Sequence, residues 1–534
     1  MGDENMNYTI KIARETQEFE GIFRLNYDTF VEEIPQHSEN TERKLIDQFH
    51  DENEYVICKE DDEIIGMMAI RDIRPFSLDK KLGRIENHLQ LSFSKPCEIR
   101  LLSVKPKFRN GRVFASITGA LIRYCLYKGY DIAFISGTTR QTKLYKHLGF
   151  EPFAQLVGKD DALFQPMYLT KEMFYQKEHL RTLSMVNSFL PGPVRVEDQI
   201  QSIFLSQPDW HRSQEHKQTA ESVFSKLKQL TNAKNVSVFT GTGTVANDAI
   251  AAHLASLGSN GLILINGEFG ERLADHADRF GLQYDKLAVS WGSPFNIEEI
   301  KKLCRLNHYH WIWFVHCETS TGMINNFDAI QKVCEEFSIK MCIDAISSIG
   351  AVPINFEKAY MASGVSGKAI GSITGLSFVL FNELEKSVNN VPRYLDVKYY
   401  QECDGIPFTQ NSYLFKALDL ALDKLFEPNF FDKKVSVFSY VYDTLKAQGF
   451  SFVVEKELTS PCVMTIAFPK DINSMDIGLD LYLNGFQVHF RNRYLIKKNW
   501  IQIAFMSANE SMVIIDGLLH TLQNLFKEKT KVAP

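Results

Sequence analysis

Asp344 closes the apolar run Ile339-Lys340-Met341-Cys342-Ile343, and Lys368 follows in the small-residue stretch Ser363-Gly364-Val365-Ser366-Gly367. A carboxylate at the end of a buried strand is costly unless a cationic or hydrogen-bonding partner meets it. A lysine in a desolvated, glycine-rich loop sheds its proton readily and becomes a nucleophile. Upstream, Thr240-Gly241-Thr242-Gly243-Thr244 lies between a strand-like VSVF and a helix-like VANDAIAAHL. Free N–H groups at a helix start, with glycines and threonine hydroxyls, suit an anion. Phe269, between Gly267 and Gly270 at the end of the next apolar run, offers a ring face for stacking. A nucleophilic amine, a carboxylate for a protonated ring nitrogen, an anion cup and a stacking ring are together what pyridoxal 5'-phosphate (PLP) requires of a protein.

These elements need a scaffold, and the sequence supplies one. Apolar runs (VSVFT, GLILIN, WIWFVH, MCIDA) alternate with amphipathic stretches (VANDAIAAHLASL, RLADHADRF, AIQKVCEEFS). That rhythm predicts an α/β fold with a mainly parallel sheet and helices on both faces. From about Asn411 a long helix and four further apolar runs predict a small C-terminal α/β subdomain. A charged helical stretch, Lys171 to Arg181, runs into Leu190-Pro191-Gly192-Pro193, where no helix can continue. The expected division is 1–170, a linker at 171–190, a large domain at 191–410 and the small subdomain at 411–534.

Residues 187–525 resemble the class V aminotransferases of fold type I, in the alanine–glyoxylate, serine–pyruvate and 2-aminoethylphosphonate branch. The carrying motifs are Leu190-Pro191-Gly192-Pro193, His211-Arg212-Ser213 with Glu215, the Thr240–Thr244 cup, Asn266-Gly267-Glu268-Phe269-Gly270-Glu271-Arg272, and His316-Cys317-Glu318-Thr319-Ser320-Thr321-Gly322. Asp344 with Ser348, Lys368 and Thr409 complete them. The resemblance implies PLP held by Thr242, Gly243, Thr244, Phe269, Thr319, Asp344, Ser348 and Lys368, with Lys368 as the Schiff-base lysine. It also implies that Thr409 reaches the phosphate of a second copy, making a homodimer. Two positions depart from the family. Gly367 stands where glutamine or asparagine usually precedes the lysine, and Gln502 stands where an arginine usually grips the substrate α-carboxylate. An amide does not reproduce a bidentate guanidinium–carboxylate pair. Either Arg491 or Arg493 substitutes, or the amine lacks that carboxylate.

Residues from about 8 to 170 resemble the GNAT superfamily, nearer its acyl-homoserine-lactone and N-acyl-amino-acid synthases than its acetyltransferases. The carrying residues are Glu98 to Val104, the loop Pro106-Lys107-Phe108-Arg109-Asn110-Gly111-Arg112, the helix that follows, and Tyr145-Lys146-His147-Leu148-Gly149-Phe150. The resemblance implies acyl transfer to an amine from acyl-CoA or an acyl carrier protein, with Arg109, Gly111 and Arg112 at the carrier. Tyr145 would protonate the departing thiolate and Glu98 would assist deprotonation of the amine. The loop lacks two of the family's glycines, and its basic residues suit an acidic carrier.

The leading expectation is therefore an aminotransferase fused to an N-acyltransferase that acts on an amine, with the transamination product a candidate for that amine. The alternative is a PLP lyase or decarboxylase with a non-catalytic N-terminal docking or dimerisation domain. A net charge of −6 gives no electrostatic case for nucleic acid, and no apolar run is long enough to span a membrane. Nine dispersed cysteines without a CxxC pair, and a start without a secretion pattern, predict a cytoplasmic protein without a metal site.

Overall fold

The structure is a computed structural model and describes residues 8–34, 37–109, 111–159, 162–383, 390–506 and 511–531. The chain packs into two compact units. The first contains the described residues up to Asn187 together with Asp476–Gln487 and the chain from His520 onward; the second contains Ser188–Met475 and Val488–Leu519. The stretch read as a linker forms two helices of the first unit, Lys171–Gln176 and Glu178–Ser184.

An eight-stranded sheet forms the core of the first unit. Its strands pair antiparallel except for Pro96–Val104 and Ile132–Thr138, which are parallel. That parallel pair holds register only from Pro96 to Ile99, against Ile132 to Ile135. Beyond it, Leu101 takes a left-handed backbone (φ 55°) and the register with Glu63–Arg71 slips between Met67 and Ala69. An irregularity of this kind bends a strand and re-aims its side chains, and here it opens a wedge in the sheet. The helix Arg112–Lys128 follows the wedge, its start set by Gly111 at φ 85°.

The edge strand Tyr8–Ile12 is finished by residues distant in sequence. Asn484 accepts from the Ile10 N–H and donates to its carbonyl, and Asp480 accepts from the Ile12 N–H. Asp480, 1% exposed, also pairs with Arg14 at 2.6 Å. Removing one partner of a buried pair typically costs ~3–5 kcal/mol. Arg14 is 20% exposed and keeps Asp476 at 3.3 Å, so Asp480→Ala should destabilise the chain by roughly 2–3 kcal/mol. Denaturant unfolding should show a lower midpoint at an unchanged slope; an unmoved midpoint would mean that the pair contributes nothing.

The second unit is built on a seven-stranded sheet in the order Asn235–Thr240, Leu376–Phe381, Met361–Val365, Lys340–Asp344, Trp311–Val315, Gly261–Ile265, Tyr284–Ala288. All strands are parallel except Leu376–Phe381, which runs against both neighbours. Its central strands are wholly buried runs such as Trp311–Val315, as a parallel sheet covered on both faces requires. A small antiparallel sheet, Ser451–Phe452, Val463–Ala467 and Trp500–Ala504, belongs to the expected C-terminal subdomain. Among the described residues no helix is long and apolar enough to cross a membrane.

Candidate active sites

In the second unit, the parallel strands place chemistry at their carboxyl ends, where open α/β sheets bind ligands. Asp344 ends the central strand, 5% exposed. Its carboxylate accepts from Asn247 Nδ2 at 2.9 Å and from the Ile346 N–H at 3.0 Å. No ion pair reaches it among the described residues, and burial raises its pKa above the usual range. Lys368, just beyond Met361–Val365, has its pKa lowered to about 8 by burial, with the charge of Arg272 acting in the same direction and those of Cys317 and Asp344 against it. Gly192 lies against this lysine: its φ is 151°, and a Cβ there would sit 3.2 Å from both Cε and Nζ of Lys368. Only glycine leaves that approach open.

The cup at Thr242-Gly243-Thr244 starts the helix Gly243–Leu257, whose N-cap Thr242 makes no side-chain capping bond. A Cβ on Gly243 would fall 2.4 Å from Ile346 Cδ1 and 3.3 Å from Val365 Cγ1, so the helix start is pressed against the strand ends. Phe269, half-buried in the first turn of Glu268–Arg279, has the Arg272 guanidinium 4.9 Å from its ring centroid. Thr319 donates to Ser347 Oγ at 2.6 Å, and the Ser348 hydroxyl donates to the Ala345 carbonyl at 3.3 Å. Thr409 is exposed.

Four groups in this site were not singled out from the sequence as functional residues. Asn247, one helical turn after Gly243, orients Asp344. Glu318, fully buried, accepts from the N–H groups of Phe269, Gly270 and Ser320 and from the Ser320 hydroxyl, and so fixes the turn that carries the ring. Burial pushes its carboxyl up to about 7 against those donors. Arg272 stands in a quoted motif, and its motif position was the available signal. His489 had no signal at all.

Gln502 is 0% exposed, and both ends of its amide are engaged. Nε2 donates to the Thr319 carbonyl at 2.5 Å and to Thr465 Oγ1 at 2.9 Å, while Oε1 faces His489 Nδ1 at 2.9 Å and accepts from the Tyr494 hydroxyl at 3.3 Å. Arg491 and Arg493 are exposed, Arg493 opening the helix Arg493–Lys498.

These residues fit PLP. A buried carboxylate without a cation suits a protonated ring nitrogen, the helix start pressed on Ile346 suits a phosphate, and the desolvated lysine suits covalent attachment. Lys368 gives up its proton as pH rises through about 8. Covalent uptake of PLP by the cofactor-free protein, trapped with borohydride, should therefore rise about fifty-fold from about pH 6 to about pH 8 and then level off. A rate still climbing towards the ordinary lysine value of 10.5 would mean that the site does not desolvate the amine.

In the first unit, the wedge between Pro96–Val104 and Ile132–Thr138 leads into an apolar cavity of about 160 Å³. Leu121, Ile122, Leu148 and Phe174 line its depth, and Leu101, Leu102, Phe114 and Tyr145 stand where it meets an open cleft. Arg109 and Gly111 lie on that cleft. Tyr145 covers Gly137, where a Cβ would come within 2.7 Å of the ring, and burial raises its hydroxyl pKa, against hydrogen bonding with Thr138. Glu98, fully buried, accepts from the N–H groups of Ser77 and Leu78 and from the Ser77 hydroxyl, capping the helix Ser77–Leu82. Arg109 pairs with Glu33 and donates to the Val104 carbonyl at 2.8 Å. Gly111 and Arg112 are exposed at the uncapped start of Arg112–Lys128. Asn110, between them and Arg109, lies outside the described residues.

Two families match this chain. Residues 21–170 match the model described as N-acyl amino acid synthase FeeM, and residues 205–394 match aminotransferase class-V. An uncharacterized aminotransferase of Methanocaldococcus jannaschii is 26% identical over 53% of this chain and 78% of its own length. A 2-aminoethylphosphonate–pyruvate transaminase of Phocaeicola vulgatus is 24% identical over 56% of this chain and 88% of its own. Among solved structures, an alanine–glyoxylate aminotransferase from Nostoc sp. is similar at TM-score 0.59 and 23% identity, covering 64% of this chain and 95% of that one. A pyridoxamine–pyruvate aminotransferase from Mesorhizobium loti reaches TM-score 0.61 at 18% identity, covering 65% of this chain and 93% of that one. The structural similarities establish the fold of the aminotransferase part. The protein is an enzyme combining an N-acyl amino acid synthase domain with a class-V aminotransferase domain, and the latter family implies PLP.

Proposed function

We propose that the two sites act in sequence, the aminotransferase site forming an amine that the N-terminal site acylates. The observation that carries this reading is the pairing, on one chain, of a desolvated lysine facing an unpaired buried carboxylate with an apolar cavity that meets an open cleft at Tyr145. Bound PLP supplies an electron sink for moving the amino group. Asp344, oriented by Asn247, would keep the ring nitrogen protonated, and Phe269 would cover the ring face. Thr242, Gly243 and Thr244 would hold its phosphate, and Thr319 and Ser348 would hold the rest of the cofactor. Lys368 would carry the cofactor and, as a free amine, would move the substrate proton.

At the N-terminal site the cavity holds the acyl chain of a carrier-bound thioester. The start of the helix Arg112–Lys128, at Gly111 and Arg112, takes the carrier's phosphate, with Arg109 beside it. Tyr145 stands at the junction where a departing thiolate would collect a proton. Glu98 fixes the Ser77–Leu82 helix on the wall of the cleft and supports the amine from there. The donor is acyl-CoA or acyl carrier protein. Thr409, exposed, reaches the phosphate of a second copy in a homodimer, and the protein works in the cytoplasm.

Tethering two sites raises the effective concentration of the intermediate at the second. The test supplies the full-length, PLP-loaded protein with keto substrate, amino donor and acyl donor, and looks for the acylated amine. The control is an equimolar mixture of full-length Lys368→Ala and full-length Tyr145→Phe. The native chain should form product with a shorter lag than the mixture. Absence of any acylated amine with every donor would overturn the reading.

A further inference from the structure

Gln502 occupies the strand position from which an arginine would address the substrate, yet its amide has no group left to offer. The Thr319 carbonyl can only accept, so the NH₂ end must face it and Oε1 must face His489. Oε1 can only accept in turn, so the imidazole carries its proton on Nδ1. A neutral ring then presents a lone pair at Nε2. No hydrogen bond occupies that nitrogen among the described residues. Backbone bonds in both directions between His489 and Gln502, 2.9 and 3.0 Å long, lock the two residues side by side. Tyr494, whose hydroxyl shares the Gln502 oxygen, packs edge-on to the ring at 6.3 Å.

The imidazole also senses the catalytic lysine. Burial lowers its pKa, the bond to Gln502 opposes that, and the charge of Lys368 lowers it further. The ring therefore stays neutral in the physiological range and points no positive charge at a substrate anion. A lone pair set against a carboxylate repels it; set against a hydroxyl it accepts a hydrogen bond.

We propose that His489 is the substrate-facing group of the aminotransferase site, held in its Nδ1–H tautomer by Gln502, and that it selects amines bearing a neighbouring hydroxyl over α-amino acids. This rests on the aminotransferase reading above. His489 Nε2 accepts the hydroxyl of a vicinal amino alcohol or hydroxyketone where the resembling enzymes place a carboxylate on arginine. Gln502 is a positioning residue that acts through the ring.

The test compares two amines of nearly equal shape, 2-amino-1-propanol and alanine, on the full-length PLP-loaded protein. Displacement of Lys368 from the cofactor is followed by absorbance in single turnover, so no keto acceptor has to be known. The amino alcohol should react at least about tenfold more efficiently, a difference of ~1.4 kcal/mol. His489→Phe should remove that preference, chiefly through a weaker half-saturation for the amino alcohol. Nitrogen NMR of ¹⁵N-histidine-labelled protein should show Nδ1 of His489 protonated, and a tautomer mixture in Gln502→Leu. Alanine preferred or equal, or an unchanged tautomer in Gln502→Leu, overturns the inference while sparing the aminotransferase reading. Failure of both amines, and of every other amine offered, to displace Lys368 from bound PLP overturns both.

Discussion

Lys368→Ala will leave a folded protein that binds PLP without a covalent bond and transaminates at least about four orders of magnitude more slowly. The loss is large because three tasks fall on one amine: attachment of the cofactor, its release to an incoming substrate, and the proton transfer that follows. The fold will not suffer. Burial makes a charged lysine at this position unfavourable, so replacing it removes a cost, and thermal unfolding of the cofactor-free variant should begin no earlier than that of the native chain. Borohydride reduction of the native protein should mark the peptide containing Lys368. A marked peptide holding another lysine would remove the assignment.

Asp344→Asn will separate stability from activity, with opposite signs. Burial raises the folded pKa of Asp344 above its unfolded value. Its contribution to stability is thus fully present below the unfolded carboxylate pKa and is lost as pH rises through the folded one. At neutral pH an uncompensated carboxylate is a burden, and the amide relieves it: its oxygen still accepts from the Ile346 N–H, and its NH₂ donates to Asn247 Oδ1 once that side chain turns over. The cofactor-free variant should melt at the same temperature or higher. Turnover should fall roughly 10²–10³-fold or more, because a neutral amide cannot hold a proton on the ring nitrogen. A variant with near-native turnover would show that Asp344 does not face that nitrogen.

The aminotransferase part was legible because its demands are local. Each strand end carries a short motif, and the buried parallel strands read as unbroken apolar runs: Trp311–Val315, Gly261–Ile265 and Lys340–Asp344 announce themselves. Tyr284–Ala288 does not, since at the sheet edge only Leu287 is buried and the sequence pattern thins. Met361–Val365 hides for a different reason, its core being made of alanine, serine and glycine under the close Phe378 ring. Gln502 was visible as a departure from the family pattern. Its engagement was not, because the four groups that hold it come from three other stretches of the chain. His489 carries no motif and becomes readable only once Gln502 has fixed its tautomer. Glu98 looked like a base by position, and only the fold shows that three donors from Ser77 and Leu78 already occupy it.

The first unit draws on three stretches of the chain, with boundaries after residues 187, 475, 487 and 519. A gene cut at the first of them yields an N-terminal fragment whose edge strand has lost Asp480 and Asn484, and a C-terminal fragment whose tail has nothing of its own to complete. The two activities are therefore not beads on a string that evolution or a biochemist can unthread. The N-terminal fragment does not inherit a whole fold, so the acyltransferase cannot be borrowed by another amine-forming enzyme through simple fission. A protease nick near residue 187 should leave both pieces eluting together, bound by the strand edge they share.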